Sequence, residues 1–198
     1  MHFEANVIYH IYNQGNNRQP IFFKPDNYLF FLEKMRKHIL PYGDFLCYCL
    51  MPNHFHWLVY VREPVLGSSD GVTLSHPVTT SANPRSLNES IGILLRSYTR
   101  AINKQEDRSG SLFREETKAK DGWEDPYLTP VHQHYGKVWQ NWECYGPTAF
   151  QYIHNNPVKA KLVEQPQDWP YSSASDFAGL RNGTLCNQVL AKELLFLR

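Results

Sequence analysis

Met51-Pro52-Asn53-His54-Phe55-His56-Trp57-Leu58-Val59 sets two imidazoles two residues apart inside a strongly β-prone run. Side chains alternate along a strand, so both rings project from one sheet face while Phe55 points to the other. Neutral imidazole is a common ligand of divalent transition metals, and a strand presenting two of them is half of a metal site. Tyr152 and Asn156 stand four residues apart in a segment that reads as a helix, hence on one face and one turn apart. A phenol and an amide therefore address the same point. Tyrosine can be a covalent nucleophile, but its ordinary pKa near ~10 keeps it protonated at neutral pH unless a cation or base activates it. A metal held by His54, His56 and the Asn156 carbonyl would supply part of that activation and would polarise a phosphoryl oxygen. Asn155 is the alternative ligand, because Pro157 disfavours helical geometry at the residue before it.

These residues need elements to hold them. Ala5 to Tyr12 is rich in β-branched and aromatic residues and runs into the turn-forming Asn13-Gln14-Gly15-Asn16-Asn17, which predicts a first strand. Asp26 can cap a helix through Tyr28, Leu29, Phe31, Leu32, Met35 and Ile39, ended by Pro41-Tyr42-Gly43. Residues 44–51 and 54–62 read as two strands joined at Pro52-Asn53. From Glu63 to Arg85 the chain is rich in Ser, Thr, Gly and Pro, which predicts a loop or disordered insertion. Ser86 or Asn88 can start a second helix through Ile91, Leu94, Leu95, Tyr98 and Ile102, and the segment from Gly110 to Lys120 returns as a weak strand. Strand, helix, strand, strand, helix, strand is the ferredoxin-like split βαβ pattern. It predicts an α+β fold with an antiparallel sheet and two helices on one face, in which the 44–62 hairpin supplies inner strands. Gly146-Pro147 opens a C-terminal helix to about Asn156, carrying Tyr152, with proline in the tolerated first turn. The expected organisation is a catalytic domain over 1–163, with 63–86 as a loop insertion, and a tail over 164–198.

The 198 residues, 42% hydrophobic and 14% aromatic, suffice for a core and argue against disorder. Met1-His2-Phe3-Glu4 lacks the basic start and apolar centre of a signal peptide, and no long apolar run exists, so a cytoplasmic protein is expected. Cys47, Cys49, Cys144 and Cys186 show no disulfide-framework spacing. A net charge of +1 argues mildly against coating long duplex DNA through a global field. Locally the balance differs. Residues 96–120 hold seven basic against four acidic side chains, and Arg96, Arg100 and Lys104 recur every four residues as one helical stripe. That stripe, with Lys118, Lys120 and Lys159, is the candidate phosphate track, a solvated face being the plainer alternative.

His54-Phe55-His56 resembles the His-hydrophobic-His signature of HUH endonucleases. Tyr152-Ile153-His154-Asn155-Asn156-Pro157-Val158-Lys159-Ala160, with Asp168-Trp169-Pro170-Tyr171-Ser172-Ser173 downstream, resembles the single-tyrosine transposases, and among these the REP-associated branch. The resemblance spans residues 5–175. It implies that Tyr152 attacks a single-stranded DNA phosphate, leaving a 5′-phosphotyrosine and a free 3′-hydroxyl. It also implies Mg²⁺ or Mn²⁺ held by the two histidines and by the polar residue one turn after the tyrosine, Asn156 here. The implied partner is hairpin-bearing single-stranded DNA, and the implied active unit a monomer or homodimer. Rival readings are a catalytically silent hairpin-binding relative and a metal-dependent nuclease that uses water. His132-Gln133-His134 is a weaker second pair, Tyr98 a rival nucleophile that fits the core better, and His10 and His154 read as packing or polar residues.

Overall fold

The structure, a computed structural model, describes residues 1–66, 84–121 and 145–197. Strand β1 (Val7–Gln14) leads into helix α1 (Pro25–His38), then β2 (Gly43–Met51) and β3 (His54–Val61). Short strands β4 (Val65–Leu66) and β5 (Arg85–Ser86) precede helix α2 (Leu87–Gln105), which is followed by β6 (Lys118–Asp121). Helix α3 (Tyr145–Lys159) and the short helices α4 (Ala174–Phe177) and α5 (Gln188–Leu194) complete the described elements.

The main sheet has the order β2-β3-β1-β6, with β1 antiparallel to both β3 and β6 and β2 antiparallel to β3. This is the expected ferredoxin-like α+β sheet. One expectation needs correction: β3 is an inner strand, but β2 lies at the border of the four, because β3 pairs with β1 on its other side. The chain expected as a tail protects that border. Leu50 N–H donates to Tyr171 O at 2.9 Å, Ser173 N–H to Tyr48 O at 3.0 Å and Asn187 N–H to Phe45 O at 2.9 Å. An exposed strand edge is a template for unwanted pairing, and this strap occupies it.

One sheet face carries Tyr9, Ile11, Phe55, Trp57 and Val59 against α1 and α2, which contribute Phe31, Met35, Ile91, Leu94 and Tyr98. The other carries Ile8, Cys47, Cys49, Met51 and Leu58 against Ala149, Phe150 and Ile153 of α3. A register shift between Phe45 and Cys47 inserts one residue into β2, so Leu46 and Cys47 both face α3 while Phe45 faces α1 and α2. Cys47, Cys49 and Cys186 are free and buried thiols.

Helix limits follow local chemistry. Ser86 caps α2: its Oγ accepts from Glu89 N–H at 3.2 Å, and Glu89 Oε2 accepts from Ser86 N–H at 2.8 Å. Helix α1 starts earlier than Asp26, with Pro25 in its first turn and Asn27 Oδ1 accepting from the N–H groups of Phe23 and Lys24. The insertion is not loop throughout, since its ends pair as β4 and β5. Between Gly110 and Thr117 the expected strand reduces to one bridge, Gly15 to Phe113, and regular pairing is confined to Lys118–Asp121. Helix α3 begins before Pro147 and continues through Pro157 to Lys159. No helix among the described residues is long and apolar enough to cross a membrane.

Candidate active site

Alternation along β3 places Phe55 and Trp57 in the core beneath α1 and α2 and turns His54 and His56 to the α3 side. The ring centroids of His54 and His56 are 5.1 Å apart. On β1, Tyr12 is the direct partner of His56 in the register, and His10 lies diagonally across on the same face. Helix α3 crosses this face. Its buried side, Ala149, Phe150 and Ile153, fixes its rotation, so Tyr152 and Asn156 flank the histidines.

Tyr152 is 40% exposed, and its ring stands edge-on to His56 with centroids 5.4 Å apart and 6.2 Å from His10. A phenol so placed is open to a large substrate yet held against the imidazole pair. Lys159 Nζ lies 5.0 Å from the Tyr152 ring centroid. Asn156 is buried next to His54, while Asn155 turns away and donates to Gln151 O at 2.9 Å. The choice between the two asparagines as neighbours of the histidines is thereby made.

Burial holds the imidazoles neutral. His10 is lowered to about 4 by desolvation, with the Lys120 charge adding to it. His56 is pushed well below its ordinary value by desolvation and then by His10 and His54, and His54 is lowered by desolvation, partly offset by the Asn156 amide. Their hydrogen bonds occupy Nδ1 in both rings. His54 Nδ1 is 2.6 Å from Asn53 Oδ1, and His56 Nδ1 is 2.9 Å from His10 Nε2. These bonds leave Nε2 of each ring unengaged, and the direction of the His56–His10 bond sets which nitrogen of His56 keeps its lone pair.

Two neutral imidazoles and one amide form a compact donor set. Asn156 Nδ2 is buried without a hydrogen-bond partner, while the amide's hydrogen bond with His54 ties it to the imidazole pair. Among the described residues no group of three or more His, Cys, Asp or Glu side chains could hold a metal. The two imidazoles and the amide fit a divalent cation that also takes water or substrate oxygens.

The expected basic residues divide between two faces. Lys118 and Lys120 on β6 are exposed partners of Tyr12 and His10 in the register, and Lys120 Nζ lies 5.8 Å from the Tyr145 ring centroid. With Lys159, beside the Tyr152 ring, they lie on the α3 side of the sheet. Arg96, Arg100 and Lys104 are exposed on α2, which packs on the opposite sheet face. Arg96 and Arg100, with Leu95, Asn103, Phe113 and Arg114, border a groove of about 1050 Å³ there.

Tyr12 and Tyr145 beside the histidines escaped the sequence reading, and His10 was read only as a packing or polar residue. His10 is 3% exposed, and its Nδ1 lies 2.6 Å from Tyr145 Oη. His10 and Tyr12 alternate on β1 as His54 and His56 do on β3, and that alternation was the available signal. Tyr98 belongs to the core, with its hydroxyl donating to Ile21 O at 2.8 Å. His154 is a buried polar residue whose Nε2 is 2.8 Å from Ser173 Oγ. The pair His132 and His134 lies outside the described residues.

No protein-family model matches the sequence, and no curated protein does. A solved structure of a REP-associated tyrosine transposase bound to a REP hairpin matches 94% of this chain and 94% of its own, with a TM-score of 0.53 and 13% sequence identity. At that identity the likeness establishes the fold.

Proposed function

We propose that this protein is a DNA strand transferase that cleaves and rejoins hairpin-bearing single-stranded DNA through Tyr152. The observation that carries the reading is the convergence on one sheet face of Tyr152 and Asn156 from α3 with His54 and His56 from β3. Motifs from opposite halves of the chain meet where a nucleophile needs charge stabilisation. The shared fold, whose solved example holds a REP hairpin, supports DNA as the partner.

Tyr152 Oη would form the new bond to phosphorus as the bond from phosphorus to the 3′-oxygen breaks. The phenolic proton is released and the departing 3′-oxygen gains one, so a phosphodiester is exchanged for a 5′-phosphotyrosine. Bond energy is conserved, and attack by another strand's 3′-hydroxyl restores DNA without a nucleotide cofactor. A divalent cation held by His54, His56 and Asn156 would supply Lewis-acid polarisation of the phosphoryl oxygen. Lys159, beside the Tyr152 ring, and Lys118 and Lys120 on β6 bind flanking phosphates.

The test is incubation with a hairpin oligonucleotide and Mn²⁺, followed by boiling in detergent. A covalent protein–DNA adduct is expected with the parent chain and none with Tyr152→Phe. Cleavage without adduct would assign a water-using nuclease, and binding without cleavage a silent relative.

A further inference from the structure

His10 and Tyr145 contact no substrate in the reading above, yet they are wired to its metal-facing histidine. We propose that His10 is a positioning residue: through its hydrogen bond to Nδ1 of His56 it fixes the tautomer that leaves Nε2 free for a divalent cation. This rests on the metal-assisted reading of the cleft.

A neutral imidazole carries one N–H, so ligation through Nε2 requires the hydrogen on Nδ1. His56 Nδ1 faces His10 Nε2 at 2.9 Å, and the two nitrogens can share only one hydrogen. When His56 donates, His10 Nε2 accepts and the His10 hydrogen must be on Nδ1. That atom lies 2.6 Å from Tyr145 Oη, which then accepts. Two directions are self-consistent, since the Tyr145 hydroxyl can accept or donate: from His56 through His10 to Tyr145, or the reverse, and only the first leaves His56 Nε2 free, as this role requires. His10 and His56 are 3% and 5% exposed, so water is poorly placed to replace a lost partner. For His54 the same task falls to the hairpin turn: Asn53 Nδ2 donates to Arg18 O at 3.2 Å, which aims Oδ1 at His54 Nδ1. One histidine is thus oriented by its sequence neighbour and the other across the sheet.

The test is Mn²⁺ titration of the full chain by calorimetry, with thermal unfolding and metal-free hairpin affinity measured on each variant. His10→Phe should weaken Mn²⁺ binding about 10- to 100-fold, the usual consequence of removing such an outer partner. His10→Gln, whose carbonyl can accept from His56, should stay within a few-fold of the parent, and metal-free hairpin binding should hold in both. Should His10→Phe not fold, imidazole ¹⁵N NMR of the parent decides: the His56 hydrogen is expected on Nδ1 in the metal-free protein, and finding it on Nε2 overturns the proposal. His54→Ala separates the two levels. If the parent binds no Mn²⁺, or His54→Ala binds it equally well, the metal reading falls and this role with it. If the parent binds and a folded His10→Phe binds within twofold of it, only the role of His10 is refuted.

Discussion

Tyr152→Phe removes one oxygen from a residue that is two-fifths exposed, so folding and hairpin binding should persist while adduct and cleavage vanish. Tyr98→Phe, which alters a core hydroxyl, should cleave at close to the parental rate, and both outcomes are read on one denaturing gel. The donors differ among themselves. His54→Ala or His56→Ala should abolish cleavage at any practical Mn²⁺ concentration, whereas Asn156→Ala should be partly rescued by excess metal, since water can replace a neutral amide. Asn156 Nδ2 has no partner to lose, so Asn156→Ala should unfold within about 1 kcal/mol of the parent in urea. His54, His56, Tyr152 and Asn156 were legible because their pairing is local: two residues on a strand, four on a helix. His10 was not, because its tie to His56 depends on the register of β1 on β3, which no local spacing encodes.

At the scale of elements, both helices on the α1 and α2 face could be read, because their apolar periodicity and the Ser86-Glu89 capping pair are contiguous in sequence. The strap over β2 could not, since it pairs by isolated bridges, Cys49 to Ser172 and Phe45 to Cys186, with no alternation to betray it. It is clamped instead by charge. Arg181 Nε lies 2.6 Å from Asp176 Oδ1, and Arg181 also reaches Pro170 O at 2.7 Å and Ser172 O. The Asp176 side chain is 3% exposed, so removing its cation leaves a carboxylate in a poorly solvated place. Arg181→Met should therefore cost about 2 to 3 kcal/mol in urea unfolding, discounted from a fully buried pair because Arg181 itself reaches solvent. Loosening the strap also frees Ser173, the partner of His154 on the tyrosine helix. The same variant should lower the cleavage rate while its hairpin affinity, set by distant lysines and arginines, changes little.

For the molecule as a whole, the decisive feature is that one sheet separates two basic regions. Lys118, Lys120 and Lys159 lie on the side of the sheet that carries Tyr152, whereas Arg96, Arg100 and Lys104 belong to the helix on the far face, beside the groove bounded by Phe113 and Arg114. A net charge of only +1 gives no general attraction that would blur the two. Each phosphate contact contributes roughly 0.7 to 0.9 log units to the salt dependence of binding, so replacing three cations by Gln can flatten the slope by up to three such steps. Both triple variants should weaken hairpin binding and keep the parental melting temperature, since all six side chains are exposed. Their chemistry should part company. The triple change at Lys118, Lys120 and Lys159 should also slow cleavage of a short oligonucleotide without a hairpin, because those cations hold phosphates at the reacting bond. The triple change on α2 should leave that cleavage unaltered, because a strand too short to pass round the sheet cannot touch both faces. An unchanged salt slope for the α2 variant would make its stripe a solvated face and assign DNA contact to the tyrosine side alone.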